Sequence, residues 1–431
     1  MILKISNKQY TNSSLKSNKK TTFIYSSTNE KYIKEAKKNG CKSFLSSKEL
    51  ISLVDFSNIR IVGITGTNGK TTTAFCIYHL LLSLGFKVAL QGTQGFFING
   101  IQKEDYTLTT PDQLTNFSHI IKAQEEKCQF FIMEVSSHAI VQNRIEGLEF
   151  SLKILTNISR DHLDYHKNLD DYICVKNSFF DDDSLKLINK DDKNSKYNPK
   201  NSLTYSISSK SDFQISSYDI TKGLFGKFIY ENQEYSFNTH LRGVFNIYNI
   251  LASISSVYKL TSKPLSSICK HINSFQGVSG RVEIISQKPF IVIDFAHTPD
   301  GMEEVFKSFI SYDIIVVFGA GGNRDKDKRT LMGQIAYKYA KDIIITSDNP
   351  RYENEQDIIK DIIKDIPNRQ KIYIQPNRKE AIKNGISLIQ SNSVVLILGK
   401  GDEKYQIIKD EKIDFSDKEV VKTILKSSIL K

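Results

Sequence analysis

The run Gly63-Ile-Thr-Gly66-Thr-Asn-Gly69-Lys70-Thr71-Thr72-Thr73 gathers glycines and hydroxyl side chains around one lysine. Glycines let backbone N–H groups turn toward an anion, and a helix starting just after them adds partial positive charge. In that arrangement Gly66, Thr67, Asn68, Gly69 and Thr72 cradle the phosphates of a nucleotide. Lys70 reaches the outer phosphates, and the Thr71 hydroxyl binds Mg2+. The first glycine stands one position earlier than the strict phosphate-loop spacing. The context is nevertheless the required one: an apolar strand at residues 59–62 runs in, and a helical pattern at 74–82 runs out.

Three further constellations carry chemistry. Glu134 ends the apolar run Phe130-Phe-Ile-Met133. It reads either as a carboxylate holding the nucleotide's Mg2+ or as an acid capping the next helix, and the phosphate loop favours the first. Asp161-His162-Leu-Asp164-Tyr165-His166 reads either as capping acids beside surface histidines or as a second metal site. Lys176 shares one helical face with Leu169, Tyr172, Ile173 and Phe180. Such a lysine can snorkel to the surface. If buried, it loses affinity for its proton, and the neutral amine can then take up CO2 as a carbamate, a carboxylate-like metal ligand. His119, His138 and His240 are assigned nothing catalytic.

These residues need an α/β framework to bring them together, and the chain reads as three α/β domains. Residues 1–57 are a small polar module with a weak strand at 22–25. Residues 58–280 alternate strands (59–65, 87–91, 130–135, 151–156) with helices, which predicts a mainly parallel sheet of the phosphate-loop ATPase type. A polar excursion at 181–212 interrupts that sheet, and short antiparallel strands at 213–240 form its edge. Residues 281–431 repeat the alternation, Rossmann-like, with strands at 289–294, 313–318, 342–346, 371–374 and 394–398. Four of these five run into a polar or glycine motif: Asp294-Phe-Ala-His297, Gly319-Ala-Gly-Gly322, Ser347-Asp-Asn-Pro-Arg351 or Gly399-Lys-Gly-Asp-Glu403. Open α/β sheets bind ligands beyond the carboxyl ends of their strands, so these motifs gather on one edge.

Bulk properties narrow the classes. The net charge of +11 over 431 residues raises a nucleic-acid partner, and with it a nucleic-acid-binding ATPase. The lysines, however, are spread along the chain among acidic residues, so no nucleic-acid partner is expected. The five cysteines are scattered without a Cys-x-x-Cys pair, which suits a reducing compartment and argues against a zinc site. No apolar run approaches the roughly 18 residues of a membrane span. A cytoplasmic protein without a membrane partner is expected.

In order along residues 58–410, the motifs resemble those of the Mur ligases, the ATP-dependent amide-bond-forming enzymes of bacterial peptidoglycan synthesis. Besides the phosphate loop they are Thr109-Thr-Pro-Asp112, Glu134-Val-Ser-Ser-His138, Asn157–His166, Gly243–Asn249, Gly280-Arg-Val-Glu283, Asp294–Asp300, Gly321–Arg329, Asp348-Asn-Pro-Arg351 and Gly399–Glu403. Each is weak alone; the set in this order is specific. It is most similar to the members that add the third residue to UDP-N-acetylmuramoyl-L-Ala-D-Glu.

The resemblance implies site roles. Thr71 and Glu134 would hold the Mg2+ of ATP, and a carbamylated Lys176 with Glu134 and His162 would hold a second Mg2+. Lys70, Glu134, His162 and Lys176 would form the catalytic set, with Asn249, Arg281, Asp294 and His297 at the nucleotide. Ser13, Thr109, Thr110, Ser136, Gln142, Arg144 and the carbamylated Lys176 would contact the UDP-sugar-dipeptide. The D-Glu carboxylate would attack the ATP γ-phosphate, and an amine would then displace phosphate from the acyl phosphate.

Arg324, Asp348, Asn349, Arg351, Gly399 and Glu403 would bind that amine donor. An arginine there pairs bidentately with a distal carboxylate, which favours meso-diaminopimelate over L-lysine. The Asp348–Arg351 motif and Thr109-Thr-Pro speak against other Mur ligases and folylpolyglutamate synthases. A monomer acting on small molecules is expected. Two positions depart from the family pattern: Asp402 replaces a usual histidine, and Asn323 a common aspartate. The first module is also shorter than usual, with only Asn12-Ser13-Ser14 resembling the uridine-binding serine.

Overall fold

Runs rich in Ile, Val and Phe without alternation belong to strands buried on both faces, and such runs form the two large sheets. The computed structural model describes residues 1–5, 7–105, 108–367 and 371–429. Arg60–Thr65 lies at the centre of an eleven-stranded sheet, parallel to Phe130–Glu134 on one side and Phe150–Leu155 on the other. Helices Lys70–Ser83 and Phe245–Thr261 bury Ile77, Leu80, Leu81, Ile250 and Ile254 on one face of that sheet. Gln113–Glu125 covers the other face with Leu114, Phe117 and Ile120.

The expectation that residues 181–212 interrupt this sheet is corrected. They contain two of its strands, Lys186–Asn189 and Ser202–Ser206, which continue the parallel ladder outward from Phe150–Leu155. The polar composition hides them because their polar groups are satisfied internally. Lys186 is buried and donates to the carbonyls of Asp182 and Lys200, both at 2.8 Å. The Asp191 carboxylate accepts the N–H groups of Ile207, Ser208 and Ser209. The antiparallel edge appears as expected, in Phe213–Asp219, Leu224–Tyr230 and Gln233–Thr239.

The N-terminal module has a four-stranded sheet (Leu3–Ile5, Lys8–Thr11, Thr21–Tyr25, Ser43–Ser46) where one weak strand was expected. The C-terminal sheet runs in the order Glu283–Gln287, Phe290–Asp294, Ser393–Leu398, Asp313–Phe318, Asp342–Ile345, Ile372–Ile374. All but the first strand are parallel, so Asp294, Gly319, Thr346 and Gly399 emerge at one edge. Among the described residues, no helix is long and apolar enough to cross a membrane.

Candidate active site

The phosphate loop leaves the central strand at Thr65 and ends where the helix begins at Lys70. Gly66 has φ +152°, and a Cβ there would stand 1.8 Å from Thr156 Oγ1; Gly69 has φ +85°, and its Cβ would meet Asn249 Oδ1 at 2.4 Å. Neither position admits a side chain. Asn157 pins the loop, accepting from the Asn68 N–H at 2.9 Å and donating to the Asn68 carbonyl at 3.0 Å. Lys70 Nζ curls back to donate to the carbonyls of Gly66 and Thr67 at 2.7 and 2.9 Å. Its enclosure lowers its proton affinity, opposed by the charges of Glu134 and Asp161.

Glu134 is buried at the foot of this loop. Its carboxylate accepts from the Thr71 hydroxyl (2.9 Å) and the Thr93 N–H (2.9 Å). Among the described residues no lysine, arginine or histidine nitrogen lies within ion-pair distance of it, although the Lys70 charge is near enough to be felt, so a buried carboxylate and a hydroxyl converge at the foot of the loop. That donor set fits a hard divalent cation.

Lys176 is also buried. Its Nζ donates to the Gly66 carbonyl at 2.9 Å and lies 5.0 Å from the Tyr172 ring centroid. Burial, reinforced by the nearby Lys70 charge, pushes its pKa well below the usual lysine value. This is the environment in which a lysine loses its proton. Among the described residues no three His, Cys, Asp or Glu side chains gather as a metal cage. The cluster at 161–166 therefore supplies no complete cation site of its own.

Asp161 instead organises a seam between the two large sheets. Its Oδ2 stands 3.4 Å from His162 Nε2 and 3.8 Å from His297 Nε2, and its Oδ1 3.9 Å from Lys328 Nζ. Burial opposes its ionisation, but His297, His162 and Lys328 together hold its pKa below the usual carboxylate range. Burial lowers the pKa of both His162 and His297. Arg160 with Asp325 (3.2 Å) and Arg324 with Asp164 (3.3 Å) extend the seam.

Beyond it, the carboxyl ends of the C-terminal strands form a charged pocket. Arg351 has φ +51°, strained for a non-glycine residue. Its backbone is bridged to the strand Tyr405–Ile408, with the N–H donating to the Ile407 carbonyl at 3.0 Å. Its Nη1 donates to the Gly322 carbonyl at 2.9 Å. Among the described residues, Nη2 and Nε have no hydrogen-bond partner.

The Asn349 amide builds the frame. Its Oδ1 accepts from the Ile407 N–H (2.9 Å) and its Nδ2 donates to Glu403 Oε2 (3.0 Å). Behind the pocket, the fully buried Arg378 donates twice to Asp417 at 2.7 Å and once to the Leu398 carbonyl at 3.0 Å.

One cleft of about 630 Å³ runs through these parts. Of the residues anticipated from sequence, Thr67 to Thr72, Thr109, Glu134, His162, Asn249, Arg281, Asp294 and His297 line it. So do Arg324, Asp348, Asn349, Arg351, Gly399 and Glu403. Among the described residues, Arg281 Nε and Ser159 Oγ are buried without a hydrogen-bond partner, and both residues belong to the lining.

Gly66, the first residue of the loop, and Lys176, which donates to the Gly66 carbonyl, are not part of the lining. Thr110, Ser136, Gln142 and Arg144 form a separate hydrogen-bonded group, in which Arg144 donates to the Thr110 carbonyl (2.7 Å) and to Gln142 (2.6 Å). Ser13 is outside the cleft; its neighbour Asn12 donates to Asp112 Oδ1 at 2.7 Å, tying the first module to the central sheet. Sequence reasoning missed Thr93, Lys328 and Arg378. Lys328 lay inside a quoted motif, whereas Thr93 and Arg378 carried no local signal.

A phosphate loop facing a charged pocket on a second α/β sheet, across one cleft, defines a nucleotide-dependent enzyme that joins two substrates. Residues 64–257 match the Mur ligase middle domain, and residues 280–401 match the Mur ligase glutamate ligase domain. The chain is 49% identical over 421 residues to the UDP-N-acetylmuramoyl-L-alanyl-D-glutamate--2,6-diaminopimelate ligase of Helicobacter pylori, covering 96% of this chain and 94% of that protein. It is 47% identical over 406 residues to the like-named ligase of Wolinella succinogenes, covering 94% and 93%. A solved structure of a ligase of this name aligns with TM-score 0.67 at 29% identity, over 97% of this chain and 95% of that one. The chain belongs to the Mur ligase family and is an ATP-dependent, amide-bond-forming ligase.

Proposed function

We propose that the chain joins meso-diaminopimelate to the D-Glu carboxylate of UDP-N-acetylmuramoyl-L-Ala-D-Glu, releasing ADP and phosphate. One observation carries this reading: the cleft that holds the phosphate loop also holds Arg351, whose Nη2 and Nε have no hydrogen-bond partner among the described residues. Two parallel N–H groups suit a carboxylate beside the distal amine, a group L-lysine lacks. Mur ligases use ATP and Mg2+. Thr71 and Glu134 would hold the Mg2+, which supplies charge neutralisation as two anions meet.

Lys70 would swing from its loop carbonyls to the transferring phosphate. Arg281, Asn249 and Asp294 would hold the nucleoside, with His297 beside them. Thr109, Thr110, Ser136, Gln142, Arg144 and Ser13 would face the UDP-sugar-dipeptide. The seam around Asp161 would orient the closed cleft, so that the acyl group and the amine meet in one geometry.

A second Mg2+ on His162, Glu134 and a carbamylated Lys176 is supported by the burial of that lysine. The three units, residues 1–57, 58–280 and 281–431, would bind the sugar nucleotide, ATP and the amino acid respectively, in a cytoplasmic monomer. The test is orthophosphate release. It should require ATP, Mg2+, the UDP-dipeptide and meso-diaminopimelate together, and polynucleotide should not stimulate it. Release without the UDP-dipeptide would refute the proposal.

A further inference from the structure

Lys400 is a fully buried lysine that none of the steps above uses. Its Nζ donates to Glu403 Oε2 at 2.8 Å and to Asn349 Oδ1 at 3.2 Å, and lies 5.9 Å from the Tyr405 ring centroid. Glu403 Oε2 also accepts from Asn349 Nδ2 at 3.0 Å. One oxygen of Glu403 therefore takes both internal donors. Among the described residues Oε1 has no hydrogen-bond partner, and Glu403 lines the cleft. Gly399 and Gly401, on either side of Lys400, have φ +109° and +57°, a backbone that turns the lysine inward.

We infer that Lys400 is a positioning and selectivity residue for the amine donor: it clamps Glu403 from behind and leaves one carboxylate oxygen for the donor's distal ammonium. This rests on the amine-pocket reading of Arg351 and Glu403. The charge of Lys400 has a second consequence. An incoming ammonium meets a carboxylate that is already paired, so a donor presenting only an ammonium gains less there. A donor that also brings a carboxylate to Arg351 finds its charges matched. Removing the buried cation would leave Glu403 less oriented and the pocket more negative. That loosens the zwitterionic donor and narrows the preference over L-lysine.

The experiment compares the full-length wild type with Lys400→Met by phosphate release, varying meso-diaminopimelate, L-lysine and ATP in turn. Loss of one charge-assisted clamp should raise the diaminopimelate KM about tenfold. The kcat and the ATP KM should stay within about twofold, and the preference over L-lysine should shrink. An unchanged diaminopimelate KM overturns the inference, as does an ATP KM that rises in step with it.

If the wild type shows no diaminopimelate-dependent release, the amine-pocket reading itself fails, which is a distinct result. Lys400→Gln, which keeps a donor without the charge, serves if the Met variant does not fold. If neither folds, the 15N signals of the wild-type lysine ammonium groups decide. One slowly exchanging resonance should move with diaminopimelate and not with ATP; absence of such movement overturns the inference.

Discussion

Arg351→Met should cost the enzyme its diaminopimelate preference by a calculable amount. Arg351 Nη1 is held by the Gly322 carbonyl at 2.9 Å, so among the described residues Nη2 and Nε remain as the two donors for a distal carboxylate. A hydrogen bond to a charged group contributes about 1.5–3 kcal/mol, and the half-buried position calls for the lower end. Two such bonds give about 3 kcal/mol, or roughly 150-fold in kcat/KM at 1.36 kcal/mol per decade. Arg351→Lys keeps the charge but loses the fork, which predicts roughly a tenfold loss. The assay is steady-state phosphate release at saturating ATP and UDP-dipeptide, with meso-diaminopimelate varied. kcat/KM for L-lysine should scarcely change. A loss under threefold for diaminopimelate, or an equal loss for ATP, would refute the assignment.

Glu134→Gln removes the only anionic member of the Thr71–Glu134 pair while keeping its shape, so the Mg2+ dependence of activity should shift upward at least tenfold; a superimposable Mg2+ titration contradicts this. Lys176→Ala should lose activity and regain part of it with added short carboxylates, and normal turnover without them would eliminate the carbamate. pH acts through the seam. The cleft lowers the pKa values of His162 and His297, so the stability of their neutral forms is present above the free value of about 6.5 and is lost as pH falls below it. Asp161, depressed in the fold, adds its loss only at pH below about 4. Thermal melts should fall steadily between pH 6.5 and 5, and a flat profile would contradict the seam's role.

The parts legible in the sequence were those in which one segment carries both the fold signal and the chemistry. Residues 59–73 pair a buried strand with Gly66 and Gly69, whose left-handed φ and close neighbours admit no side chain, so strand, loop and helix could be read together. Four of the C-terminal strands were legible for the same reason, since the unbroken apolar runs at 290–294, 313–318, 342–345 and 393–398 end in functional motifs. The strands at 186–189 and 202–206 were not, because Lys186, Asn189 and Ser206 satisfy their polar groups inside and leave no apolar run. Distant partnerships were equally hidden. Arg378 and Asp417 are 39 positions apart, and Asp161 meets Lys328 and His297 only when the two sheets face each other. Nothing local marks Thr93 as a partner of Glu134, because the contact comes from the end of a neighbouring strand. Lys400 stood in a quoted motif, but its inward turn depends on two left-handed glycines that sequence alone does not orient.

The central claim is that one cleft activates a carboxylate with ATP and delivers a carboxylate-bearing diamine to it. A competition reaction tests it most directly, with ATP, Mg2+, UDP-N-acetylmuramoyl-L-Ala-D-Glu and equimolar meso-diaminopimelate and L-lysine, read by product mass and ADP formed. The diaminopimelate adduct should form in large excess, with one ADP per product. A predominant lysine adduct, or ADP formed without any adduct, would contradict it.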